Sequence, residues 1–230
     1  MANPIKVLST VRSIEDRGEG VYLVTFGLPA RATKFHPGQF LHLTLDPFDP
    51  TTGFWPQSRV FSIASEPRLD HVTVVYSVKG TYTRRMEAEL KVGKEVWLKL
   101  PYGDFVIDEG LLKVGPVVLV AGGTGVSPYI PFLLQPRSHS GTVHLYYGVR
   151  REEHLLFSHE LEKLTREPWF QRHLVVGQLL SIDSMKADLG AQFGHANFFL
   201  SGPPIMITSF KAELLARAIS AQQIHIDEWE

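Results

Sequence analysis

Val117-Val118-Leu119-Val120-Ala121 is an unbroken apolar run that leads straight into Gly122-Gly123-Thr124-Gly125-Val126-Ser127-Pro128. A strand that is apolar at every position is buried on both faces, and the arrangement that buries both faces is a parallel sheet covered by helices. Glycines at such a strand end permit positive φ and bring main chain close to a ligand. A helix predicted from near Pro128 would offer free N–H groups to a phosphate. The same glycines also suit a tight turn that merely packs helix on sheet, and both readings stand. The run is neither Gly-x-Gly-x-x-Gly nor a Walker loop.

The rest of the second half keeps this pattern. Thr142–Tyr147, His173–Val176, Ala196–Leu200 and Ile224–Ile226 read as strands. Residues 154–167 read as a helix with Leu155, Leu156, Leu161 and Leu164 on its apolar face, and a helix near Pro204 carries Met206, Phe210, Leu214 and Ala218. The first half is built differently. Short β-favouring runs at Gly20–Phe26, Phe40–Leu45, Val72–Val78 and Glu95–Leu100 are separated by Pro37-Gly38, Pro47, Gly93 and Pro101-Tyr102-Gly103, with one helix predicted over 83–90. The expected fold is an antiparallel β-barrel domain over residues 1–110, then an α/β parallel-sheet domain over 111–230, with the boundary within 107–116.

Composition narrows the function. A net charge of -1 over 230 residues gives no basic face for nucleic acid. With no cysteine there is no disulfide, thiolate metal site or cysteine-held iron–sulfur cluster. His154 and His159 are spaced wrongly for a shared helix face, and no His-Glu-x-x-His occurs, so no metal is expected. The start lacks a signal-peptide core, and no run reaches the roughly 18 apolar residues of a membrane span, so membrane insertion is not expected and the default location is cytoplasmic.

Two more strand ends point toward ligands. Ser201-Gly202-Pro203-Pro204 follows Phe198-Phe199-Leu200, and Arg150-Arg151 follows Tyr147-Gly148-Val149. In open α/β sheets ligands sit beyond the carboxyl ends of the strands. A rigid Gly-Pro turn and a solvated arginine pair are the plain alternatives.

Taken in order, the motifs resemble the ferredoxin–NADP reductase-like superfamily, especially the reductase modules of bacterial oxygenases and flavohaemoglobins. The resemblance runs through His36-Pro37-Gly38-Gln39-Phe40, Arg59-Val60-Phe61-Ser62, Lys79-Gly80-Thr81-Tyr82-Thr83, Pro101-Tyr102-Gly103-Asp104-Phe105, the glycine loop, Ser201–Pro204 and Ile224-His225-Ile226-Asp227-Glu228-Trp229. Phe61 replaces the usual tyrosine, and Ser201 the usual cysteine.

The resemblance implies a flavin, FAD in preference to FMN, held by Arg59, Val60, Phe61, Ser62, Lys79, Gly80, Thr81 and Thr83. Arg59 would pair with the flavin phosphate and Ser62 with the polar edge of the ring. It implies NADH or NADPH at Gly123, Thr124, Gly125, Arg150, Gly202 and Pro203, with Ser201 beside the nicotinamide. Ser62 and Ser201 are the implied catalytic positions, and Trp229 either covers the flavin or seals the last strand. Arg150 and Arg151 suit a 2′-phosphate, but Glu152 and Glu153 follow, and the balance leans to NADH. The expected activity is electron transfer from nicotinamide through flavin to a separate electron-carrier or oxygenase protein. A stand-alone flavin, quinone or small-acceptor reductase and a non-catalytic regulatory subunit are the alternatives.

Overall fold

The computed structural model describes residues 3–29, 34–67, 70–136 and 141–227. The chain forms two compact units, one of residues 1–106 with 127–135, the other of residues 107–126 with 136–230.

In the first unit, β1 (Ile5–Asp16), β2 (Val21–Gly27), β3 (Phe40–Thr44), β4 (Arg59–Ser62), β5 (His71–Ser77) and β6 (Glu95–Tyr102) form one sheet in the order β4-β3-β6-β1-β2-β5. Every pairing is antiparallel. The sheet curls until its two ends nearly meet. Just beyond β4, the Ala64 N–H donates to the Thr73 carbonyl of β5 at 2.8 Å, and the Thr73 N–H donates to Ser65 Oγ at 3.1 Å. Alternation sends Leu41 and Leu43 of β3, Val72 and Val74 of β5, and Val96, Leu98 and Leu100 of β6 inward to a common core. Helix α1 (Thr81–Glu89) plugs this core with Tyr82 and Met86.

The second unit holds β7 (Val117–Gly122), β8 (Val143–Val149), β9 (Phe170–Val176), β10 (Asn197–Ser201) and β11 (Ile224–Ile226), all parallel, in the order β11-β10-β7-β8-β9. The chain therefore moves outward in one direction from β7 through β8 to β9, then returns to the other side of β7 for β10. That reversal, between β7 and β10, is a topological switch point, and open α/β sheets place ligands beyond the strands' carboxyl ends at such a point.

The helices depart from expectation in instructive ways. The glycine loop is a 3₁₀ turn, Gly123–Tyr129, and α2 (Ile130–Leu133) has only four residues. Pro128 and Pro131 withhold the N–H groups that a longer helix would need. The helix expected over 154–167 breaks into a 3₁₀ turn, Glu152–His154, and α3 (Ser158–Leu164), with Phe157 at φ 56° between them. Tyr147 stabilises the break: its hydroxyl donates to the His154 carbonyl and accepts the Leu156 N–H, each at 3.2 Å. Helix α4 (Ile182–Leu189) was not anticipated. Helix α5 (Pro204–Ala216) buries Phe210 and Leu214, but Ala218 lies past its end at φ 61° and Ile219 is buried instead.

Candidate functional site

Two segments of the first unit converge on one cavity of about 370 Å³. From β4 come Arg59, Val60 and Phe61; from the start of α1 come Lys79, Gly80, Thr81 and Thr83. Seven residues singled out in the sequence therefore line a single recess, and its volume lies within the range of about 300–1,000 Å³ usual for small-molecule sites.

The local chemistry of this recess is anion-seeking. The Arg59 side chain is exposed, with Nη1 donating to the Ser58 carbonyl at 2.9 Å and the guanidinium 5.3 Å from the Tyr82 ring centre. Gly80 caps α1 in an extended conformation, and Thr83 Oγ1 accepts the N–H groups of Lys79 at 2.9 Å and Gly80 at 3.1 Å. The Thr83 hydroxyl thus shapes the approach to the helix, and the next amides, which have no partner one turn back, are the donors left for a ligand. Phe61 is buried in the barrel core edge-on to Tyr76, with ring centres 6.3 Å apart. Ser62 is half-buried, and its hydroxyl has no protein partner among the described residues.

The cavity wall includes four residues that sequence reasoning passed over: Gln57, Ser77, Tyr82 and Arg85. Tyr82 donates to the Leu43 carbonyl at 2.6 Å and accepts the Leu45 N–H at 3.2 Å. Burial pushes its phenol up to about 12, so it remains a neutral strut. Arg85 is tied to Asp46 at 2.8 Å and to Glu89 at 2.9 Å. Arg85 follows Thr81 by four residues, so helical spacing alone places it on the same face.

The second unit builds its site from main chain. A Cβ at Gly125 would collide with the Ser201 carbonyl and come within 2.7 Å of the Gly202 nitrogen. One at Gly122 would sit 2.7 Å from Pro203 Cδ, and one at Gly202 would sit 3.0 Å from Gly122 Cα. The loops after β7 and β10 therefore interlock across the switch point only because they lack side chains there. Gly123 differs: it holds φ 57° with open space around it. Thr124 is half-buried beside it, Pro203 is exposed, and Arg150 stands exposed at the end of β8.

Ser201 is 1% exposed and donates to Asp227 Oδ2 at 2.8 Å. Asp227 is itself buried, and its N–H donates to the Leu200 carbonyl at 2.9 Å. Asp227 was absent from the residues chosen by sequence, although the terminal Ile-His-x-Glu-x-Phe resemblance puts an acid at that position. Trp229 lies outside the described residues. Among the described residues, no cluster of three metal-ligating side chains is present. Nor, among them, is any helix long and apolar enough to cross a membrane.

Comparison with known proteins points the same way. The family described as "Oxidoreductase NAD-binding domain" matches residues 119–211. The reductase component of propane 2-monooxygenase from Rhodococcus jostii is 30% identical over 217 residues, covering 85% of this chain and 56% of that protein. The chain thus spans somewhat over half the length of the curated relatives it matches. Among solved structures, a ferredoxin NADP+ reductase from Neisseria gonorrhoeae with bound FAD and NADP superposes with a TM-score of 0.80 at 19% identity, covering 99% of each chain. The flavohem-like FAD/NAD binding domain of nitric oxide dioxygenase from Vibrio cholerae gives 0.79 at 20% identity, covering 97% of this chain and 98% of that one. At these identities the structures share the fold.

Proposed function

We propose that the chain is an FAD- and NAD(P)-binding reductase module related to the ferredoxin reductases, oxygenase reductases and flavohaemoglobin reductases, and that it passes electrons from a nicotinamide dinucleotide through flavin to a separate acceptor protein. The observation that carries this reading is the basic cavity where β4 and the start of α1 meet. Its donors suit a phosphate, and its aromatic floor suits a ring system.

The barrel, residues 1–110, is the flavin domain and residues 111–230 the nucleotide domain in this reading. Arg59 and Lys79 neutralise the flavin phosphate, the leading amides of α1 at Thr81 and Tyr82 donate to it, and Gly80 and Thr83 shape the loop around it. Val60 and Phe61 form apolar walls, and Ser62 offers its hydroxyl to the polar edge of the ring. FAD is preferred to FMN. When bound, the flavin accepts two electrons from the nicotinamide and releases them singly.

In the second unit, Gly123, Thr124, Gly125, Gly202 and Pro203 frame the crevice for NADH or NADPH, and Arg150 stands at its rim. Glu152 and Glu153 next to it favour NADH. Ser201, fixed by Asp227, is the polar group assigned to the nicotinamide. The residues need only bind, orient and exclude water, since hydride transfer calls for no acid–base triad. A cytoplasmic setting accompanies this role.

The test is an anaerobic absorbance spectrum of flavin-reconstituted protein before and after NADH, with NADPH as comparison. Bleaching by one nucleotide is expected, and Arg59→Ala should weaken flavin retention about tenfold or more through loss of a charge-assisted bond. A flavin that neither nucleotide reduces would instead mark a binding or regulatory subunit.

A further inference from the structure

The chain has four methionines, and they differ sharply in access. Met86 and Met185 are fully buried, one in the barrel core and the other in the core of the second unit. Met1 lies outside the described residues. Met206, in the first turn of α5, packs against the second core yet keeps part of its surface in solvent. Among the described residues it is therefore the one thioether that a reagent dissolved in water meets in the folded protein.

That thioether also lies against the two loops that interlock after β7 and β10. A Cβ at Gly122 would come 2.9 Å from Met206 Sδ, and one at Gly202 would come 2.8 Å from Met206 Cε. The sulfur and its methyl group thus fill the space that the two glycines leave open. The Met206 N–H donates to the Pro203 carbonyl at 2.9 Å, which ties its main chain to the second of these loops. A soft, unbranched side chain adapts to such a gap, and its fit there depends on staying apolar.

We infer that Met206 is a reversible oxidation site whose sulfoxide loosens the glycine interlock and so impairs nucleotide use. The oxidant is hydrogen peroxide. A lone pair on Sδ attacks one peroxide oxygen, an S–O bond forms, the O–O bond breaks, and after a proton shift water leaves. The sulfur gives up two electrons and the peroxide takes them. A flexible apolar group becomes a polar, chiral one. The new oxygen requires hydration or a donor, and it acquires them only by drawing the side chain away from Gly122 and Gly202. The consequence for the nucleotide rests on the proposed reductase role; the oxidation itself does not.

The test treats flavin-reconstituted full-length protein with dilute hydrogen peroxide, removes the excess with catalase, and locates added oxygen by peptide mass. The peptide carrying Met206 should gain one oxygen before those carrying Met86 or Met185. The melting temperature should then fall by about 2–4 °C. Flavin should stay bound, while its reduction by limiting NADH or NADPH slows about tenfold. Methionine sulfoxide reductases for both epimers, with a thiol reductant, should restore both readouts. Met206→Leu keeps an apolar side chain of similar volume without the sulfur, so peroxide should leave its own starting values in place. Met206→Gln carries the polarity permanently and should reproduce the loss without peroxide. Oxygen appearing on Met86 or Met185 as early as on Met206 would overturn the inference. So would an equal loss in Met206→Leu, or complete oxidation of Met206 with melting temperature and reduction rate unchanged. Untreated protein whose flavin neither nucleotide reduces would reject the reductase reading alone; selective, reversible oxidation with its drop in melting temperature would still uphold the site.

Discussion

Gly123 and Gly125 lie two positions apart in one loop, and they are glycines for different reasons. At Gly125 the missing Cβ makes room for the Ser201 main chain; at Gly123 it permits a left-handed backbone in open space. Gly125→Ala should therefore cost about 1–3 kcal/mol, because a main-chain neighbour has no rotamer with which to yield. Gly123→Ala should cost only about 1 kcal/mol, the usual penalty for a side chain in that conformation. Urea unfolding of both variants checks the order, and a milder Gly125→Ala would remove the interlocked-backbone account. The sequence alone favoured the phosphate cradle over the packing turn for this loop without excluding the turn. The packing half is now visible at Gly122, Gly125 and Gly202, and the open side at Gly123 is where a ligand has room. Asp227 escaped notice for a different reason. Its pairing with Ser201 joins the ends of two adjacent strands, and no local pattern announces that.

At the scale of elements, β8, β9 and α4 together hold a stacked imidazole pair, His144 buried and His173 half-buried. His144 and His173 stack with ring centres 5.8 Å apart, and Tyr146 stacks on His173 at 4.1 Å. Asp188 of α4 accepts from the Tyr146 hydroxyl at 2.9 Å and lies 3.3 Å from His173 Nδ1. His144 Nδ1 has no partner among the described residues, and burial, with His173 nearby, lowers its pKa from 6.5 to about 4. A histidine that is harder to protonate when folded binds fewer protons in the native state. Stability therefore falls as pH drops from about 6.5 toward about 4. His173, His42 and His225 are lowered in the same direction, burial being the first cause for each. Unfolding at pH 7 and pH 5 should show a loss of about 2 kcal/mol attributable to His144, absent in His144→Gln. Equal pH dependence in the variant would show that the ring is already solvated. Helix α4 itself could have been read: Ser181 caps it, and Ile182, Met185 and Leu189 share its buried side. It was missed because short helices carry few periods. The strands were easier, since β7 is apolar from Val117 to Ala121, β10 is apolar at Phe198, Phe199 and Leu200, and β3 alternates well enough to set Leu41 and Leu43 apart from His42 and Thr44. The helix expected over 154–167 failed because Tyr147, distant in sequence from its midpoint, stabilises a loop that local propensity does not favour.

At the scale of the whole molecule, the chain does not divide at a single point. Residues 127–135 belong with the barrel, although they follow β7 of the parallel sheet. Within that unit Tyr129 lies 6.2 Å from Phe105, centre to centre, and Tyr129, Ile130, Phe132 and Leu133 are nearly inaccessible. A fragment of residues 1–110 expressed alone should consequently be less stable than the same residues in the full chain, with earlier urea unfolding and more exposed apolar surface by dye binding. A fragment as stable as the full protein would show that residues 127–135 contribute nothing to the barrel. The change in sequence grammar between halves reveals two architectures, but a short returning segment has no signature of its own. Its consequence is one of inheritance. A recombination event with one breakpoint between the halves would carry the barrel away without the nine residues that return to it. The two halves are therefore constrained to descend together, and each change in one must remain acceptable to a piece of the other's coding sequence.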